Sequence, residues 1–233
     1  KSQSYTRTGA MEKRVRVLGQ AALLWQSANP AGQVGVILLH PHPHMGGDMN
    51  NPVVEAVLQG LWKEPAVAAT LRFNFGHKLD ESFNEAQAAI AFLQQETGVK
   101  AWASVGYSYG AAILAELLLK AESEPPTSAV LLAPPLSMLP NFSLAPLRAM
   151  LSRGLALALI AGTRDDFCEA EQLRQVHGEL LDPSFPQPPR LELIDGCDHF
   201  FGHPHHLATA VEAAVQVMGR SAALSTLPRT APL

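Results

Sequence analysis

The chain has 233 residues, 47% of them hydrophobic and 16% charged, with a formal net charge of −4. An apolar fraction of that size with so few charges excludes a wholly disordered chain. The mild acidity, without any Lys/Arg cluster, speaks against nucleic acid as a partner.

In chain order, Val15, Val17 and Leu18 begin a strand-like run, and Leu23, Leu24 and Trp25 another. Gly35 to His40 is a short apolar run flanked by Gly and Pro, the mark of a buried strand. Val53, Val54, Val57, Leu58, Leu61 and Trp62 recur at helical spacing. A strand is expected over 67–75, a helix face at Phe83, Ala86, Ile90 and Leu93, a strand over 101–105 and a helix over 111–119. Three more strands are expected over 129–133, 155–161 and 191–194, with helices over 172–181 and 207–218.

Strands alternating with helices predict an α/β fold, a single domain with a mostly parallel central sheet flanked by helices. Residues 1–12 read as an N-terminal extension, 13–220 as the domain and 221–233 as a loose C-terminal tail. The proline-rich segment 134–152 is too short for a cap domain; it reads either as an apolar flap or as a loop and short helix packed on the body. Apolar runs such as 155–161 fall far short of the roughly 20 residues of a membrane span. No charged start followed by an apolar stretch marks a secretory signal, so a cytoplasmic location is expected, or an organelle interior after loss of a transit peptide.

The chemistry concentrates at Gly106-Tyr107-Ser108-Tyr109-Gly110, which follows a strand and opens a helix. That is the setting of a G-x-S-x-G nucleophile elbow, in which a sharp turn presents the serine hydroxyl at a helix N-terminus. A serine needs a base held by a carboxylate, and in this arrangement the partners follow in the order Ser, acid, His. Asp165 and Asp166 lie just past the strand 155–161, and Asp195, Asp198 and His199 just past 191–194. His199 is the expected base; His203, His205 and His206, around Pro204, read as exposed polar residues. Asp165 is preferred as the acid over Asp166, and either over Asp195 or Asp198.

An oxyanion hole requires two N–H donors. One is expected from Tyr109, the residue after the serine. The other is expected from the loop His40-Pro41-His42-Pro43-His44-Met45-Gly46-Gly47, where the prolines have no N–H and His42 is preferred over His44. The alternating His40, His42 and His44 could be read as a metal site, but the usual Cys or carboxylate ligands are not arranged with them, and no metal is expected. Cys168 and Cys197 both fall near this edge and read as ordinary free thiols rather than a redox pair.

Together these residues resemble the α/β-hydrolase superfamily, and within it a compact, cap-less group related to dienelactone-hydrolase-like proteins. That group carries H-P-H-P-x-x-G-G, R-F-N-F, G-Y-S-x-G and D-H-F-F, matched here at 40–47, 72–75, 106–110 and 198–201. The resemblance covers about residues 14–218. It implies Ser108, Asp165 and His199 as the triad and His42 and Tyr109 as oxyanion donors. The group continues R-F-N-F with R-G-V-G-x-S and a longer acidic loop, whereas this chain has the shorter Gly76-His77-Lys78-Leu79-Asp80. The expected function is a serine hydrolase cleaving a carboxylic ester or thioester of a small-molecule acyl substrate, with no cofactor. A same-triad peptidase or C–C hydrolase, or a non-catalytic binding protein on this fold, are the other readings. The oligomeric state is left open.

Overall fold

A computed structural model of the chain describes residues 12–28, 33–76, 78–120, 125–136 and 143–225. Its centre is an eight-stranded sheet. Strand β1 (Lys13–Val17) and strand β2 (Gln20–Gln26) form an antiparallel hairpin. Leu18 and Gly19, with φ of 47° and 84°, supply the two positive-φ residues of a tight hairpin turn. Strands β3 (Val34–Leu39), β4 (Val67–Phe73), β5 (Ala101–Tyr107), β6 (Ser128–Leu132), β7 (Ala156–Gly162) and β8 (Arg190–Ile194) follow. The order across the sheet is β1-β2-β4-β3-β5-β6-β7-β8, and β4 through β8 pair in parallel.

The helices are α1 (Pro52–Leu61), α2 (Ser82–Thr97), α3 (Tyr109–Leu119), α4 (Ala145–Ser152), α5 (Ala170–Leu180) and α6 (Pro204–Ser225). Alternation along each strand sorts the core into two layers. Ile37, Leu39, Leu131, Leu157 and Leu159 pack against apolar faces of α2, α3, α4 and α5. Val36, Leu38, Val130, Leu132, Ala158 and Ile160 pack against α1 and α6. Burial on both faces explains why β3 and β7 are apolar throughout, while the edge strands β1 and β8 are only partly buried.

Two boundaries differ from the sequence expectation for a local reason. The strand expected over 67–75 stops at Phe73. Asn74 N still bonds to Ala21 O in register with β2, but Phe75 N bonds to the ring of His40, so the chain leaves the ladder there. The final helix runs from Pro204 to Ser225 rather than ending near Met218. In the segment 134–152, α4 buries Leu147, Met150 and Leu151 in the core, so this part packs on the body. Residues 137–142, the centre of the expected flap, lie outside the described residues, as do 1–11 and 226–233 of the expected extension and tail. No helix among the described residues is long and apolar enough to cross a membrane.

The crossovers fix where a site can form. From β3 the chain moves to β4 on one side, then returns across β3 to β5 on the other. The loops leaving β3 and β5 therefore emerge side by side at the carboxyl edge, where the direction of winding reverses; ligand crevices of open α/β sheets form at such points.

Candidate active site

Ser108 is the single residue between β5 and α3, with φ 53° and ψ −117°. Non-glycine residues rarely adopt this conformation, and it persists only where neighbours enforce it. Here Ser108 N donates to Leu132 O at 2.9 Å, and Ser108 O accepts from Ala111 N and Ala112 N at 2.8 and 3.1 Å. The glycines two positions either side leave room for backbone. A Cβ on Gly106 would lie 2.4 Å from Gly110 O, and one on Gly110 would lie 2.3 Å from Leu39 O. The elbow is thus clamped between α3 and the end of β3.

His199, in the loop after β8, places Nε2 2.9 Å from Ser108 Oγ. Its Nδ1 lies 2.9 Å from both carboxylate oxygens of Asp165, in the loop after β7. Both His199 and Asp165 are buried. An ionised carboxylate only accepts, so Nδ1 carries the proton and Nε2 is left to accept the serine hydroxyl. Asp165 Oδ1 also accepts from Phe167 N at 2.8 Å and Cys168 N at 2.9 Å, which fixes the carboxylate. The two loops are laced together: Thr163 N donates to Ile194 O at 3.0 Å, Arg164 N to Cys197 O at 2.9 Å, and Gly196 N to Thr163 Oγ1 at 2.9 Å.

The competing residues expected from sequence are elsewhere. Asp166 is exposed. Asp195 accepts from the Thr163 hydroxyl at 3.2 Å, and Asp198 accepts from Phe200 N at 3.0 Å. His203 and His205 are exposed and His206 partly so, at the start of α6.

The loop after β3 folds into a short 3-10 turn, Pro43–Met45. His44 N donates to His42 Nδ1 at 3.2 Å, so the His44 amide is engaged. The amides of His42 and Tyr109 donate no hydrogen bond among the described residues. The two rings stand edge-on, 4.9 Å apart, which sets this loop against the first turn of α3. His40 is buried differently. Its Nε2 accepts from Phe75 N at 2.8 Å, so its proton is on Nδ1, which donates to Pro41 O. Burial, the largest influence, holds its pKa below the ordinary value against the opposing effects of that bond and of Asp48. The three alternating histidines therefore do not converge, and no cluster of three or more His, Cys, Asp or Glu among the described residues could hold a metal ion.

Sequence reasoning missed what pins these loops. Met49 N donates to Asn74 Oδ1 at 2.9 Å, and Arg72 Nη1 donates to Met49 O at 3.0 Å. Buried Arg72 is held by a fork on Glu12, with Nε–Oε1 at 2.8 Å and Nη2–Oε2 at 2.6 Å, and by Glu55 at 3.0 Å. The signal was a charged residue inside an apolar strand, which demands a partner. Tyr107 Oη donates to His199 O at 2.9 Å and ties the loop that carries His199 to β5. Burial, and then Asp165, push this phenol well above its usual range, so it remains a donor.

Gly76 N donates to both oxygens of Glu85 at 3.1 and 3.0 Å, and Tyr109 Oη donates to Leu79 O at 3.2 Å. The shortened segment after β4 thus borders the elbow helix; His77 within it lies outside the described residues. Cys168 and Cys197 are buried, free, and packed in opposite layers of the core. Burial pushes the Cys168 thiol up to about 12 and the Cys197 thiol up to about 11, so neither is a thiolate near neutrality.

No family model matches this chain, and no curated protein matches it in sequence. Solved structures do match in fold. An alpha-beta serine hydrolase homologue from Coxiella burnetii aligns with a TM-score of 0.68 at 20% identity, covering 91% of this chain and 99% of that one. A serine hydrolase without a lid from Xanthomonas campestris aligns at 0.67 and 19%, covering 95% and 97%. An esterase from Pyrococcus furiosus aligns at 0.66 and 15%, covering 91% and 90%. The chain has the α/β-hydrolase fold, shared along nearly its whole length with a lid-less example.

Proposed function

We propose that this chain is a serine hydrolase that cleaves a carboxylic ester or thioester through Ser108, His199 and Asp165. The observation that carries the reading is the pair of bonds on one imidazole, Nε2 to Ser108 Oγ and Nδ1 to Asp165, each 2.9 Å. His199 takes the hydroxyl proton as Ser108 Oγ attacks the acyl carbon. The tetrahedral intermediate collapses as His199 returns that proton to the leaving oxygen or sulfur. Water then attacks the acyl-enzyme by the same proton path, releasing the acid and restoring Ser108. Asp165 keeps the imidazole in the required tautomer and offsets its transient charge.

The oxyanion is assigned to the N–H groups of Tyr109 and His42. The N-terminus of α3 adds a favourable dipole there. A backbone donor of this kind contributes about 3 kcal/mol to the transition state. The mechanism calls on no cofactor. The fold likeness to an esterase and to serine hydrolases supports the same class of chemistry.

The test is labelling with a fluorophosphonate, which reacts with an activated serine. A single adduct on Ser108, lost in His199→Ala, is expected. A folded protein that takes no label would remove the hydrolase reading in favour of a binding protein on this fold.

A further inference from the structure

Among the described residues the large hydrophobic side chains left open to solvent are few, and their placement is uneven. Met45, Phe167 and Phe200 are 72%, 48% and 65% exposed, and all three lie on the loops that build the site. The other two, Leu18 and Leu181, lie in the β1–β2 turn and at the end of α5. Phe167 follows the acid loop and Phe200 follows His199 directly. Their rings stand 4.7 and 5.5 Å from the His199 ring, at 49° and 88° to it. They also stand edge-to-face with each other at 6.5 Å and 78°. Three rings thus form one corner at the site, two of them wet.

Mechanism says what meets that corner. The base must lie within hydrogen-bond reach of the leaving oxygen, because it delivers the proton there. The carbonyl oxygen is turned to the other side, toward Tyr109 and His42. The alcohol half of an ester therefore lies on the His199 side, beside Phe167 and Phe200. Aromatic faces and edges favour another ring in offset or edge-on contact, and a wet phenylalanine releases water when covered.

We infer that Phe167 and Phe200 form the leaving-group subsite and select esters of aromatic, benzyl-type alcohols over esters of polar alcohols. This rests on the hydrolase reading above. The bond broken is the acyl carbon–oxygen bond, and the aromatic alcohol departs with the proton from His199.

Benzyl butyrate and 2-methoxyethyl butyrate test it, since they share one acyl group and have alcohols of similar acidity. A separate aliquot of wild type is first tested for labelling at Ser108, so the two readings fail separately. Expected is a preference for the benzyl ester in kcat/KM, reduced about tenfold in Phe200→Ala and in Phe167→Ala, chiefly through KM for that ester. Benzyl alcohol, unlike 2-methoxyethanol, should also slow labelling of Ser108, a readout that needs no turnover. Phe→Leu variants should recover part of the preference. If one aliquot of wild type labels at Ser108 and an untreated aliquot hydrolyses both esters alike, the subsite is overturned. Variants in which kcat falls equally for both esters overturn it too, because the rings would then only shelter His199. An unlabelled, folded wild type removes the subsite together with the hydrolase reading.

Discussion

His199 Nδ1 lies 2.9 Å from both oxygens of Asp165, whereas Asp166, the next residue, faces solvent. Adjacent carboxylates in one turn point to opposite environments, and their substitution should separate cleanly. Asp165→Asn can keep the bonds from Phe167 N and Cys168 N through its amide oxygen. Rotated to do so, it presents no second acceptor for Nδ1–H and favours the wrong imidazole tautomer. Turnover should fall by about 10⁴-fold while the fold persists. Asp166→Asn should stay within about threefold of wild type, as surface substitutions away from such bonds do. Steady-state rates on any accepted ester decide it; a large loss in Asp166→Asn instead would move the acid by one residue.

That choice shows how far sequence reaches. Strand and helix periods place Ser108, Asp165 and His199 at the same edge, because each follows a strand of a parallel sheet. The expectation of His42 rather than His44 rests on its place two residues past the strand end, while the bond from His44 N to His42 Nδ1 is one that spacing alone does not reveal. What stayed hidden are long-range partners. Arg72 and Glu12 are 60 positions apart, and Tyr107 and His199 are 92 apart. Polar groups in buried strands announce that partners exist, but the fold decides which. The early end of β4 is of this kind, since His40 competes for Phe75 N.

Close backbone approach at the elbow makes a second prediction. A Cβ at Gly110 would meet Leu39 O at 2.3 Å and His40 O at 2.8 Å, and neither is a side chain that could rotate away. Gly110→Ala must push α3 off the end of β3, which carries Ser108 away from His199. Overpacking of this kind costs about 1–3 kcal/mol. An ångström of misplacement costs about 100-fold in rate. Thermal melts and fluorophosphonate labelling rates should both drop; a variant with wild-type values in both would mean that the packing here is looser.

Glu12 and Arg72 carry a third. Both side chains are almost wholly buried, and their bidentate pair ties the chain before β1 to the strand that holds Met49 in place. Glu12→Gln leaves the guanidinium with Glu55, whose side chain is 42% exposed, as its remaining anion. Removing one partner of a buried pair typically costs about 3–5 kcal/mol, and the surviving ion pair should hold the loss nearer to about 2. For a chain of this length that is a fall of about 4–8 °C in melting temperature. Arg72→Met should lose more, because it strands the Glu12 carboxylate and frees Met49 O together. Equal melting temperatures for wild type and both variants would show that this network contributes nothing to stability.

His40 makes stability depend on pH in a defined direction. Its folded-state pKa is lowered from the ordinary 6.5, first by burial, with the Pro41 carbonyl and Asp48 opposing. The unfolded chain therefore binds a proton at this residue at a higher pH than the folded chain does. Stability rises with pH wherever the unfolded state holds more protons. As pH falls through 6.5 the folded state loses this contribution, and the loss ends once pH passes the lower, folded pKa. Protonating Nε2 would also break its bond from Phe75 N and set two donors face to face. His40→Gln does not titrate, and its side-chain oxygen can accept from Phe75 N. It should be less stable than wild type at pH 8, with the gap narrowing as pH is lowered through 6.5 toward 5, because only the wild type loses the His40 contribution. Denaturant melts at each pH measure that gap, and the remaining histidines cancel because both proteins contain them. Parallel curves across this range would show that His40 titrates alike in the folded and unfolded chain, and that its burial beside Phe75 does not control its proton.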